Sequence, residues 1–360
     1  MAHLWQGVIQ EYSAFFTHNI LDNIVTLQEG GTPLIHATQL ESLFADAKPT
    51  IYVKFEGANP TGSFKDRGMT AAVSNAVSHG AKTLVCASTG NTSASAAAYA
   101  AKAGLDSAVL VPTGKIAVGK LSQAIAHNAK VLQIDGNFDD CLIVARELSE
   151  NYPVELVNSV NPARIEGQKT APFEIIDVLG RPPDIHALPV GNAGNISAYW
   201  KGYNEYKVAR KCDTLPKMYG FQASGAAPIV LGKKVDNPET IATAIRIGNP
   251  ASWENALNAR DESGGLIDMV TDDEILVAHK LLSKKAAIFC EPASAAGLAG
   301  ILKLHKQGML PKKQLIVITC TGHGLKDPSW ALKESALDVS EFEPIRVAND
   351  VSEVAKVLKL

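Results

Sequence analysis

The chain has 360 residues, 46% of them hydrophobic and 20% charged, with a formal net charge of -3. That is the balance of a soluble globular protein, too long for one ordinary core, so two domains are expected. A pI near 6.3 with scattered Lys and Arg leaves no basic stripe for nucleic acid or an anionic membrane surface, and no apolar stretch approaches the roughly 20 residues of a spanning helix.

In chain order, residues 51–56 read as a strand and 65–79 as a helix, followed by a strand at 82–87 and a helix at 91–104. A strand at 107–111, a helix beginning near Ala117, a strand at 130–134 and a helix at 139–151 continue the rhythm. A loop is expected over 158–167, then a helix over 168–179, a strand over 185–190 and a helix from about Asn195. Further strands are expected at 217–222 and 314–319, and helices at 272–284, capped by Thr271 or Asp272, and at 293–307; residues 233–265 fit no clear period. Short apolar strands spaced by amphipathic helices predict an α/β fold: two open, twisted, mostly parallel sheets flanked by helices, with a ligand cleft between them.

The five cysteines form no CxxC pair and most lie in apolar stretches, as small buried thiols in a reducing compartment do. The start, Met1-Ala2-His3-Leu4-Trp5, has neither the basic end nor the apolar core of a secretion signal. A cytoplasmic protein is expected. No Cys/His cluster at metal spacing, HExxH, GxSxG or Walker loop is found.

Three loops carry chemistry. In Asn59-Pro60-Thr61-Gly62-Ser63-Phe64-Lys65-Asp66-Arg67 a lysine stands where a tight turn enters a helix, so its amine is held in place and can condense with a carbonyl compound. Ser88-Thr89-Gly90-Asn91-Thr92-Ser93 follows a strand and offers hydroxyls, an amide and helix N-terminal N–H groups to a carboxylate; an ordinary capping loop has the same composition. Gly191-Asn192-Ala193-Gly194-Asn195 has the small residues that let backbone N–H groups close around a phosphate. It is no GxGxxG fingerprint, and no acidic partner for a ribose follows. An amine nucleophile, a carboxylate loop and a phosphate cup together suit pyridoxal 5'-phosphate and an amino-acid substrate.

These loops, with Thr321-Gly322-His323-Gly324-Leu325-Lys326-Asp327, the stretch from Asn158 to Gln168, and Leu27-Gln28-Glu29-Gly30-Gly31-Thr32-Pro33-Leu34, resemble the threonine synthases of the short bacterial type. These belong to the pyridoxal-phosphate enzymes of the tryptophan-synthase β fold, or fold type II. The resemblance runs from Leu27 to about Trp330, with no departure from the pattern at these positions. It implies a smaller mobile domain of residues 55–159 and a larger one of 1–54 and 160–360. It also implies that Lys65 carries the cofactor as a Schiff base, that Asn91 bonds its ring oxygen, and that Gly191, Asn192, Ala193, Gly194 and Asn195 hold its phosphate. Thr321 would face the pyridine nitrogen.

The implied substrate is O-phospho-L-homoserine. Ser88, Thr89 and Thr92 would bind it, the first two at its carboxylate, and Ser159 and Arg164 would take its phosphate, with Thr92 and Asn192 as further candidates. The implied reaction is γ-elimination of phosphate followed by addition of water at the β-carbon, and the implied assembly is a homodimer. Two rivals stay open. A threonine or serine dehydratase of the same fold needs no phosphate site. A catalytically silent regulatory protein that binds pyridoxal phosphate or an amino acid needs no nucleophile.

Overall fold

The protein is seen here as a computed structural model that describes residues 3–114, 118–136, 138–327, 346–347 and 349–359. Ala117, the expected start of one helix, and Trp330, the end of the resemblance, lie outside them.

Two sheets form the frame. One has six strands in the order β1-β2-β10-β7-β8-β9, and the other four in the order β5-β4-β3-β6. All pairings are parallel except β1 (Leu34–His36) with β2 (Thr50–Phe55). In the smaller sheet, β3 (Thr83–Ala87) turns Leu84 and Cys86 toward Met69, Val73 and Tyr99, and Val85 and Ala87 toward Cys141 and Ala145. Both faces of the strand are therefore apolar, the signature of a parallel sheet covered by helices on each side.

The larger sheet is built alike. Ile185 and Ala187 of β7 (Ile185–Pro189) and Ile316 and Ile318 of β10 (Leu315–Cys320) pack with Ile275, Leu298 and Ile301. On the other face Leu188 packs with Phe173, Ile196, Tyr199 and Tyr203. Among the described residues no helix is long and apolar enough to cross a membrane.

The expected order of strands and helices is present, with local differences. Residues 158–167 were expected to be a loop, yet Pro162–Gln168 is a helix: Pro162 stands at its first position, and Asn161 Oδ1 caps it by accepting from Ala163 N at 3.0 Å. Both are helix-start signals, and a following helix at Thr170–Leu179 hid them by appearing to begin at Gln168. The strands β1 and β6 (Val154–Leu156) have three residues each, too few to show a period of two. The helix Trp253–Glu262 lies in the stretch without clear period and is followed by β9 (Leu266–Val270). Thr271 caps Asp272–Ala286 through a complete capping box with Glu274.

Candidate active site

In the four-stranded sheet the chain runs outward from β3 through β4 (Asp106–Pro112) to β5 (Lys130–Ile134), then returns to place β6 on the opposite side of β3. In the larger sheet it runs outward from β7 through β8 (Lys217–Ala223) to β9, then returns to place β10 on the opposite side of β7. Parallel sheets bind ligands beyond the carboxyl ends of the strands where the order reverses in this way. The loops leaving β3 and β6 contain Ser88, Thr89 and Ser159, and those leaving β7 and β10 contain Gly191 and Thr321. Both reversal points are thus occupied by segments with anion-binding composition.

The lysine loop bridges the two. It leaves β2 at Phe55, and the helix Lys65–Ser78 begins at the lysine itself. Asp66 ties the turn by accepting from Thr61 N at 2.7 Å, Thr61 Oγ1 at 2.6 Å and Ser95 Oγ at 2.6 Å. Phe64 N donates to Thr321 O at 2.9 Å, and His323 N to Gly62 O at 2.9 Å, so the loop after β10, the neighbour of β2 in its sheet, clasps it. The Lys65 ammonium stands 4.5 Å from the Phe64 ring centroid. Burial first, and then the Arg164 guanidinium, lower its pKa from 10.5 to about 7, with Glu291 opposing them. Much of this amine is therefore neutral, and so nucleophilic, near pH 7.

The loop after β7 fits a phosphate. Ala193 takes a left-handed conformation (φ 64) and leads into the 15-residue helix Gly194–Val208, to which it gives no side-chain cap. Asn195 Oδ1 accepts from Ile196 N at 2.9 Å, while the N–H groups of Gly194 and Asn195 and the positive end of the dipole are left to whatever lies before them. A Cβ at Gly191 would stand 2.9 Å from Ile245 Cα, whereas beside Gly194 the nearest neighbouring atoms are 3.9 Å away. Asn195 is used within the turn, its Nδ2 donating to Pro189 O at 2.7 Å. Asn192 accepts from Ala251 N at 2.7 Å and donates to Ser159 Oγ at 2.5 Å, which joins the loops of the two sheets.

On the smaller sheet Ser88 Oγ accepts from Gly90 N at 3.2 Å, with Thr89 half-buried beside it and Thr92 buried in the first helical turn. Asn158 closes on the same strand end: it accepts from Ala87 N and donates to Ala87 O, both at 2.9 Å. Its amide thereby continues the β3–β6 pairing and fixes Ser159 next to the Ser88 turn.

Arg164 is fully buried. Its Nη1 donates to Val157 O at 3.0 Å, but Nε and Nη2 have no partner among the described residues. Burial pushes its pKa down to about 10. Glu166, two positions on, is not its partner: it pairs with Lys169 at 2.6 Å and with Lys201. A buried guanidinium with two idle donors is costly unless an anion completes it.

Thr321 Oγ1 lies 3.0 Å from Ser294 Oγ, which also accepts from Gly322 N at 2.9 Å. Neither Ser294 nor Glu291, whose two carboxylate oxygens each lie 3.1 Å from Asn91 Nδ2 and accept from it, was singled out in the sequence. Their segment, Glu291-Pro292-Ala293-Ser294, reads there only as the start of a helix.

The model of the family described as pyridoxal-phosphate dependent enzyme matches residues 25–322. The threonine synthase of Mycobacterium tuberculosis is 57% identical over 344 residues, 95% of this chain and 94% of its own. That of Methanocaldococcus jannaschii is 50% identical over 345 residues, 93% and 83% respectively. The chain belongs to the threonine synthase family. Like that family it is a pyridoxal-phosphate-dependent enzyme acting on a small molecule. Its fold is shared with maize serine racemase (TM-score 0.72, 20% identity, 94% of this chain and all of that one) and with a tomato threonine deaminase (TM-score 0.74, 23% identity, 93% and 95%).

The residues present fit the cofactor. A neutral amine, an uncapped helix N-terminus behind a left-handed residue, and a hydroxyl on the loop facing the lysine are the donor set that an aldehyde, a phosphate and a pyridine nitrogen require.

Proposed function

We propose that the chain converts O-phospho-L-homoserine and water to L-threonine and phosphate. The observation that carries this reading is Arg164: two idle donors on a buried guanidinium, close enough for its charge to act on Lys65, have no use in a dehydratase and suit a phosphate leaving group.

In this reading Gly191 to Asn195 hold the cofactor phosphate, Asn91 bonds the ring oxygen and Thr321 presents a neutral hydroxyl to the pyridine nitrogen. Bound there, pyridoxal phosphate supplies an electrophilic carbon for amines and a conjugated ring that acidifies the C–H bonds of the attached amino acid. A neutral hydroxyl does not keep the ring nitrogen protonated as a carboxylate would, which favours elimination and replacement over transamination.

Ser88 and Thr89 hold the substrate carboxylate, while Ser159 and Arg164, with Thr92 and Asn192, hold its phosphate. Lys65, neutral at its lowered pKa of about 7, would take the α-proton and then the β-proton. The Cγ–O bond breaks with its electron pair going to phosphate, and Arg164 compensates the charge that builds on the departing group. Protons are returned at Cγ and Cα and water adds its hydroxyl at Cβ, which gives threonine. Residues 55–159 act as a smaller body closing on the body of 1–54 and 160–360 to keep water out until then. The enzyme works in the cytoplasm as a homodimer; its cysteines, all free in the described residues, suit that compartment.

Purified protein given O-phospho-L-homoserine should release phosphate and threonine in equal amounts. Phosphate with oxo acid would mean elimination without controlled hydration. No phosphate, but oxo acid from free threonine, would give the protein to the dehydratases.

A further inference from the structure

Glu291 is a buried carboxylate without an ion pair among the described residues, its side chain bonded only to Asn91. Lys65, Lys326 and Asp327 contribute only through space, and burial pushes its pKa up. It is held firmly: Glu291 N donates to Gly322 O at 3.0 Å, and a Cβ at Gly322 would collide with its carboxylate. A carboxyl group so placed is expensive to bury, and nothing in the packing of the larger sheet requires it.

The partner explains the cost. Asn91 opens the helix Asn91–Ala103 on the smaller sheet, and Glu291 stands before the helix Ala296–Lys306 on the larger. An amide side chain has a donating and an accepting face that can exchange by a half-turn. Opposite the acceptor oxygens of Glu291 only the NH2 face is stable. One N–H is spent on the carboxylate, and the other is left without a partner in the described residues.

We infer that Glu291 is a positioning residue that locks the amide of Asn91 with its donor edge toward the cofactor ring oxygen. This rests on the reading that Asn91 touches the cofactor. Without Glu291, Asn91 would spend part of its time with its carbonyl oxygen facing an oxygen of like polarity. Because the bond crosses between the two sheets, it also ties cofactor orientation to their mutual position.

The test separates reach from charge. Glu291→Gln keeps the length and an acceptor oxygen, while Glu291→Asp keeps the charge but falls one methylene short. The full-length protein, resolved of cofactor, is titrated with pyridoxal phosphate for Kd, and the absorbance maximum of the reconstituted protein is recorded. Glu291→Gln should hold the parent Kd within about threefold and keep the absorbance maximum. Glu291→Asp should weaken binding roughly five- to tenfold, the worth of one neutral hydrogen bond, and shift the maximum. In an Asn91→Ala background Glu291→Asp should add nothing further. The proposal is overturned if Glu291→Asp binds like the parent, if Glu291→Gln falls as far as Glu291→Asp, or if the Asp and Ala effects multiply. An unchanged Kd in Asn91→Ala alone would instead remove the contact between Asn91 and the cofactor, a separate failure.

Discussion

At the scale of single residues the chemistry turns on two cations whose charge the fold makes costly. Lys65 has its pKa brought down to about 7, by burial above all, so its protonated fraction grows as pH falls below that value and the nucleophile is lost. Capture of pyridoxal phosphate by the cofactor-free protein should therefore rise with pH to about 7 and level off, as stopped-flow absorbance would record. A rate still climbing toward 10 would show an ordinary lysine. Arg164 Nε and Nη2 have no partner among the described residues, so Arg164→Ala should leave thermal stability near that of the parent. It should cost roughly 10- to 100-fold in kcat/KM for O-phospho-L-homoserine, the range of a hydrogen bond to a charged group. An unchanged kcat/KM would end its phosphate role. Lys65 could be picked out in the sequence by its place where a tight turn enters a helix, and Ser159 and Arg164 through the resemblance to the threonine synthases. Glu291 could not, since nothing local marks a glutamate before a proline as buried.

At the scale of elements the lysine helix is fastened by Arg67, whose guanidinium is fully buried. It bonds Glu56 at 2.7 and 2.9 Å, Glu174 at 2.5 and 2.8 Å, Thr170 Oγ1 at 3.2 Å and Thr32 Oγ1 at 3.1 Å. Lys54 completes the cluster at 2.5 Å from Glu174. The helix Lys65–Ser78 is thereby pinned to β2 and to the helix Thr170–Leu179, and Lys65 is carried at its first position. Arg67→Met would strand buried carboxylates and should lower unfolding stability by about 3–5 kcal/mol. Arg67→Lys should recover little of it, because a point charge cannot serve both partners as the planar fork does. Denaturant unfolding within about 1 kcal/mol of the parent would show that the cluster does not hold the helix. None of this was visible in the chain, where Arg67 is only the third residue of a helix start and Glu174 lies 107 positions away.

At the scale of the whole molecule the loops of the two sheets are joined by polar links, beside the buried packing of the lysine helix. Asn91 bonds Glu291, Asn192 bonds Ser159, and Lys326 reaches Thr61 O at 2.9 Å as well as the Gln123 side chain. Single polar contacts of this kind, unlike the buried Arg67 cluster, are easily remade as a cleft closes. Solution scattering should show a smaller radius of gyration with a substrate analogue bound than without it. Identical profiles would remove closure as the means of excluding water.

The amino-acid sequence by itself determined the α/β class, the cofactor, the family and the segments that bear the chemistry. Those depend on local properties: the period of apolar residues, the turn-forming power of Gly and Pro, and residue types able to bind anions. Only the tertiary structure decided that four of those segments sit at the two points where strand order reverses. Only it showed that residues 158–167 are partly helical, with Arg164 projecting from Pro162–Gln168. The partners of buried charges were decided there too, in Arg67 with Glu174 and Asn91 with Glu291. Such pairs lie a hundred or more positions apart, and no local period or propensity encodes which distant group will meet a charge once water is gone.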